Sequence, residues 1–209
     1  CYGQATILTG ALPTVISGIN KLTPAGNPHQ INNATRIDTG GVLLVAPGVK
    51  FELSRNAKIS VLGELHIMGN STAPVIVTDR SGQGFDNFLT IQTSQPVTVD
   101  YLNVDGAGIA VDVTAGSPLI SNSVFTNNQF NGMTISGSAR PTIRNCIISD
   151  AQAAGLIISG QAQPKLENNQ FSNNQPFHLQ NGSTLQLDAR DNNWEPAASN
   201  MTILGDVLF

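Results

Sequence analysis

The chain has 209 residues, a formal net charge of −4, 40% hydrophobic residues and only 11% charged residues. Ordinary globular chains carry about 25% charge, and the ten Lys and Arg here are scattered, so a basic nucleic-acid-binding face is excluded. No apolar run approaches the roughly 20 residues of a membrane-spanning helix, and the length allows one domain with a substantial core.

Residues 1–39 read as an N-terminal leader. They hold weak strand segments at 5–8 and 13–19, then the turn-rich stretch TPAGNPHQINNAT. Such a leader is expected to cover the end of whatever it precedes, because an open sheet edge exposes unpaired backbone. Residues 40–69 contain clearer strands: GGVLLVAPG, VKFELS, AKISVLG and ELHIMG. Apolar residues alternate in Val49-Phe51-Leu53, Ile59-Val61 and Leu65-Ile67, which is strand spacing. The endings APG, VLG and IMG predict two tight coils. PVIVTD adds a strand at 74–79, and RSGQGFDN at 80–87 reads as the longest loop in the middle of the chain.

A repeat follows. Pro118, Pro141 and Pro164 are evenly spaced, as are Asn122, Asn145 and Asn168, and Phe125, Ile148 and Phe171. The units read PLISNSVF, PTIRNCII and PKLENNQF, each after a short apolar piece ending in Gly. A fixed period means a stacked architecture. The alternation stops at Gly, Pro or Asn after three to five residues, and Pro in every unit rules out a continuous helix. Two or three short strands per unit make one coil of a parallel β-helix; the Leu framework of a leucine-rich repeat is absent. The phase continues to Leu187, Asp191 and Trp194, and Trp194 is expected to close the apolar stack. About eight coils result, at about 4.8 Å each.

These segments resemble a known family. GVLLVAPGVKFELSRNAKISVLGELHIMGNSTAPVIVTD, GMTISGSARPTIRNCIISD and the element Asn192-Asn193-Trp194 are similar to the right-handed parallel β-helix proteins secreted by bacteria, which share the pectate-lyase fold. The resemblance implies an all-β, single-stranded right-handed parallel β-helix (solenoid) over 40–196, with caps at 1–39 and 197–209. It implies no single activity, since the family holds lyases, hydrolases, epimerases and non-enzymatic surface proteins.

Asn122, Asn145, Asn168 and Asp191 form a column. In the fold resembled, such residues stack inside a turn and hydrogen-bond the coils above and below, so the expected role is a structural, inward ladder. On the outer face of the first strand of each repeat the expected residues are Ala110, Asp112, Thr134, Ser136 and Ser159. Asp112 is the lone acid there, too little for a Ca²⁺ site or a hydrolase's paired carboxylates. The best charged grouping is His178, Asp188 and Arg190, with Asp191 and Glu195. It is the catalytic candidate, against the plainer reading of a solvated polar edge. Asp79 and Asp86, with Arg80, flank the RSGQG loop and are the candidate Ca²⁺ ligands; otherwise no cofactor is expected. Glu64 and His66 share an outer face but are too few for a metal site. His29 has no partner visible in the sequence.

Cys146 is expected to be a buried free thiol. Cys1 resembles the lipidated first residue of bacterial lipoproteins, which implies a lipid anchor rather than a span. The expected function is a non-enzymatic, extracytoplasmic structural or binding protein. It would be a lipid-anchored part of a bacterial outer-membrane or surface assembly, contacting envelope proteins, copies of itself or glycan. The alternative is a polysaccharide lyase or epimerase.

Overall fold

The computed structural model describes residues 3–195 and 203–209. Every coil is built from three short strands, and the strands stack into three parallel sheets. Sheet 1 has eight strands, from Thr6–Leu8 to Lys165–Glu167. Sheet 2 also has eight, from His29–Ile31 to Asn193–Glu195, and sheet 3 has nine, from Val15–Ile16 to Ile203–Leu204. The chain is therefore an all-β parallel solenoid of about eight coils. The one helix among the described residues is the single 3-10 turn Pro24–Gly26.

The corners explain the short strands. After sheet 1 the chain turns at Asn122, Asn145 and Asn168, with φ of 51°, 53° and 53°. After sheet 2 it turns at Asn127, Asp150 and Asn173, with φ of 53°, 56° and 53°. Asn and Asp tolerate this left-handed region because their short polar side chains bond locally. After sheet 3 the corner is Gly116, Gly137 and Gly160. There glycine is required by space as well, since a Cβ at Gly116 would lie 2.0 Å from the Thr93 carbonyl oxygen.

Register turns the inward side chains into columns. Sheet 1 stacks Leu22, Val45, Ile67, Val99, Ile120, Ile143 and Leu166. Sheet 2 stacks His29, Phe51, Val77, Val104, Phe125, Ile148, Phe171 and Trp194. The Phe171 and Trp194 rings lie 4.6 Å apart and nearly parallel, so Trp194 does close this column. Sheet 3 stacks Ile37, Val61, Ile91, Val113, Ile135, Ile158 and Asn181. Nearly all the apolar members are fully buried, which forms one continuous core along the rod.

Three expectations need correction. The solenoid does not begin at residue 40: Ile19–Leu22, His29–Ile31 and Ala34–Ile37 already belong to the three sheets. These strands are too short, and too often broken by Gly, Pro and Asn, to show alternation in the sequence. Residues 40–69 hold not two coils but one and a third, because Val42 already pairs with Glu64. The loop after Asp79 is shorter than expected, because Phe85 is buried and starts the strand Phe85–Gln92. Of the expected C-terminal cap, residues 197–202 lie outside the described residues; Ile203–Leu204 joins sheet 3, and Val207–Leu208 pairs with Leu187–Asp188.

Candidate functional site

The Asn column lies one residue away from the expected ladder. Asn122, Asn145 and Asn168 occupy the outward, left-handed corner positions, and Asn145 and Asn168 are exposed. They still touch along the rod: the Asn145 Nδ2 donates to Asn122 Oδ1 at 3.3 Å, and Asn122 Nδ2 donates to Asp100 Oδ1 at 2.7 Å. Asp191 is exposed too, and its backbone carbonyl accepts from Asn168 N at 2.6 Å. The inward ladder is the next residue in each turn: Ser123, Cys146 and Asn169, which are buried, and Asn192, which is half-buried. Asn169 Nδ2 donates to the Ile143 carbonyl at 2.9 Å, and its Oδ1 accepts from Cys146 N at 3.0 Å. Asn192 Oδ1 in turn accepts from Asn169 N at 3.0 Å. An inward amide here satisfies corner backbone groups that the strand ladders do not reach. A second such position is Asn174, which bonds Ala151 N and the Ile148 carbonyl. Cys146 is buried as expected, and desolvation pushes its thiol up to about 12, far from a reactive thiolate.

The catalytic candidates at the C-terminal end are not brought together. His178 is fully buried and faces the coil interior, with its Nδ1 3.4 Å from Asn174 Nδ2 and its ring 6.2 Å from Trp194. Asp188 and Arg190 face solvent and pair with each other at 2.7 Å. Side-chain and backbone hydrogen bonds from Arg190 lower the Asp188 carboxyl to about 2, which describes an exposed ion pair and not an acid poised for catalysis. Inward and outward residues on different strands cannot share one substrate.

The outer faces carry several side-chain hydrogen bonds that run along their columns. On sheet 3 the column runs Ser60, Thr90, Asp112, Thr134, Ile157 and Gln180. Asp112 pairs within this column, where Thr134 Oγ1 donates to it at 2.5 Å. Ala110, expected on this face, is buried instead. On sheet 2, Thr126 and Ser149 hydroxyls lie 3.1 Å apart. On sheet 1, His66 Nδ1 lies 2.9 Å from Thr98 Oγ1 and its Nε2 lies 3.6 Å from Glu64, so the expected pair does share a face. His29 is buried at the start of a column, where Nε2 meets the Thr23 carbonyl at 2.9 Å.

An open groove of about 520 Å³ lies beside residues 80–84, lined by Asp79, Gln83, Gly84, Asp105 and Gln129, among others. Asp79 shapes it. Its carboxylate accepts from Ser81 N, Ser81 Oγ and Gly84 N at 2.9, 2.9 and 2.6 Å. Partial burial would raise this carboxyl, but the donors from Ser81, Gly84 and Gln83 together hold it below its ordinary value. Its oxygens are committed to the loop, and Asp86 does not line the groove. Among the described residues, no three His, Cys, Asp or Glu side chains gather as metal ligands. The groove was missed by the sequence reading. Its lining residues come from three coils and meet only through register.

Parallel coils, left-handed corners and an internal amide ladder define a β-solenoid. The family model described as a right-handed β-helix region matches residues 87–203, and the chain belongs to that family. No curated protein and no solved structure matches it.

Proposed function

We propose that the protein is a non-catalytic structural or binding module that uses the sides of its β-helix to contact other envelope proteins, copies of itself or glycan. The observation that carries this reading is the pairing of polar groups along the faces: Asp112 with Thr134, Thr126 with Ser149, and Asp100 with both Ser121 and Asn122. Side chains already bonded to their own column present a preorganised, weakly charged surface, which suits recognition at low ordering cost. Acid–base chemistry instead needs a carboxylate, His or Lys free to exchange a proton with substrate. An extracytoplasmic, lipid-anchored setting is part of the proposal; Cys1 itself lies outside the described residues. Mass spectrometry of native material is expected to find diacyl or triacyl mass on Cys1.

The test of the non-catalytic reading is direct. Incubation with polygalacturonate and with neutral β-glucans, with and without Ca²⁺, is expected to release no unsaturated or reducing ends. Release that disappears in an Asp188→Ala variant would establish the lyase or epimerase alternative.

A further inference from the structure

We infer that the two ends of the solenoid bind each other, so that copies of this chain stack head to tail into an open-ended rod. The inference rests on reading the protein as an assembly module, and it moves the contact between copies from the sides of the rod to its ends.

The core stays open at both ends. The half-buried apolar residues packed against it are Leu8 and Leu12 on the first coil, and Trp194 and Val207 at the far end. Exposed apolar side chains gather at the same places. Of the eight large ones among the described residues, Ile7 and Val15 lie on the first coil, and Leu204, Leu208 and Phe209 lie at the far end. A single exposed apolar residue needs no explanation, but a cluster at each end of one core points to something that covers it.

Backbone groups face outward there as well. The Gly10 carbonyl accepts from Gln30 N at 3.0 Å, and Leu12 N donates to the Gln30 carbonyl at 2.8 Å. The Thr14 and Ile16 carbonyls accept from Arg36 N and Asp38 N at 2.9 and 3.0 Å. Successive residues of a strand turn their N–H and C=O to opposite neighbours, so Ala11 and Val15 turn theirs away from the rod. At the far end Asn193 N donates to the Asn169 carbonyl at 2.7 Å, and the Glu195 carbonyl accepts from Asn173 N at 3.1 Å. Trp194, between them, directs its backbone groups to the open side. Such edges are templates for a further strand.

A second copy matches these ends column by column. The strands of each sheet are parallel, so the last coil of one copy and the first coil of the next continue every sheet without reversing a strand. The outer column of sheet 3 begins at Val15 and finishes at Leu204, and stacking sets the two side by side. The outer column of sheet 1 begins at Ile7, next to Lys21, and runs to Lys165. Asp188 follows Lys165 by one repeat and pairs with Leu208, which therefore meets Ile7. The Trp194 column starts at His29; Ala11 is bridged to Gln30, so Gly10 heads that column, with open space where a side chain would stand. The indole of one copy fits over Gly10 and the half-buried Leu8 and Leu12 of the next.

Charge sets the orientation. Residues 3–39 carry two cations, Lys21 and Arg36, and one anion, Asp38. Residues 185–209 carry one cation, Arg190, and four anions, Asp188, Asp191, Glu195 and Asp206. Unlike ends attract and two C-terminal ends repel, which favours a head-to-tail contact over a closed two-fold dimer.

The experiment follows the full chain from about 1 μM to about 1 mM by analytical ultracentrifugation and fluorescence. Mass is expected to rise past the dimer with concentration. The emission of Trp194, the single Trp, is expected to shift blue in step as the indole loses water, and added salt is expected to weaken both changes. Val15→Asp and Leu204→Asp are each expected to weaken association by about tenfold or more with the urea midpoint unchanged, since both side chains are exposed. Mixed together, they are expected to form dimers and stop, because each keeps one intact end. Ile147→Asp, exposed on the side of sheet 2, is expected to leave association unchanged. Should an end variant fail to fold, Ile7→Asp or Leu208→Asp replaces it at the same end. The proposal is overturned by a monomer at every concentration, by growth with unshifted Trp194 emission, or by a dimer that persists in Val15→Asp alone. A mixture that stays monomeric, or association lost in Ile147→Asp, overturns it too. Those results leave the non-catalytic reading standing, whereas release of unsaturated or reducing ends defeats that reading without touching the ends.

Discussion

In the middle of the rod the inward strand columns are apolar; at the N-terminal end one column of each sheet turns polar, and at the C-terminal end one column of sheet 3 does. At the N-terminal end Asn20 stands where Leu43 follows, His29 where Phe51 follows, and Thr35 where Ile59 follows. Each reaches the first coil's backbone: Asn20 Nδ2 to the Ser17 carbonyl at 2.8 Å, His29 to Thr23, and Thr35 Oγ1 to the Pro13 carbonyl at 2.9 Å. At the C-terminal end Asn181 replaces the isoleucines of its column. Its Nδ2 donates to the Leu185 and Asp206 carbonyls at 2.9 and 2.8 Å, and its Oδ1 accepts from Ser183 N and Oγ. A solenoid end must satisfy backbone that no further coil will pair. This chain does so by exchanging one inward side chain per sheet at the N-terminal end and Asn181 at the C-terminal end, in addition to whatever covers the end from outside.

The C-terminal end differs in a second way. Sheets 2 and 3 hold their register through Trp194 and Ile203, but sheet 1 parts. Leu187–Asp188 pairs with Val207–Leu208 and not with Lys165–Glu167, leaving a cleft of about 180 Å³ between them. The residue that replaces the repeating proline explains it. Pro118 and Pro141 have no N–H, and their carbonyls accept from the next coil. Leu187 has an N–H, and it donates to the Asp206 carbonyl at 3.0 Å, drawing this strand toward the terminal segment.

The comparison can be broken most forcefully in the middle. Asn169→Ala strands both Cys146 N–H and the Ile143 carbonyl, and is expected to cost about 2–3 kcal/mol in urea unfolding. Asn145→Ala, at the exposed corner, is expected to cost about 1 kcal/mol, and Asn145→Gly close to nothing. Equal losses at 169 and 145 would erase the distinction between the inward and outward columns. At the end, Asn181→Ala is expected to cost about 1–2 kcal/mol, less because the terminal segment can open alone. Hydrogen exchange should speed up in residues 183–188 and 203–209 and stay unchanged near Ile143; a uniform acceleration would mean that the end is not a separate unit.

The smallest effect is expected at the Asp188–Arg190 pair. The carboxyl is depressed, so any contribution to stability is present above the ordinary Asp range and is lost as pH falls toward about 2. The pair is exposed and belongs to one short turn, so Arg190→Gln should leave stability at neutral pH unchanged. Carbon NMR of the Asp188 carboxyl should show its midpoint returning toward the ordinary value in that variant. A midpoint that stays put would mean that Arg190 is not what lowers it.

Much of the fold was legible because a repeat advertises itself. Pro118, Pro141 and Pro164 mark one corner of three coils, and Trp194 could be placed in the Phe171 column by counting alone. The assignment of the Asn ladder slipped by one residue for a local reason. Asparagines come in pairs at the corners (Asn127-Asn128, Asn168-Asn169, Asn173-Asn174), and one of each pair turns the chain while the other enters the core. Alternation breaks at a left-handed residue, so spacing cannot say which is which. His178 misled for a similar reason: nearness in sequence to Asp188 and Arg190 hid the fact that it faces the opposite side of the wall.

By itself the sequence determined the architecture: the period, the strand type, the parallel stacking and the number of coils. These follow from short-range rules, since proline, glycine and alternation act within a few residues and the repeat multiplies their signal. Only the tertiary structure decided which amides are buried, where the ends are sealed, that Asp112 and Thr134 meet, and that Gln83, Asp105 and Gln129 share a groove. Those residues are separated by a coil or more along the chain and meet only through register, and register depends on the length of every corner between them.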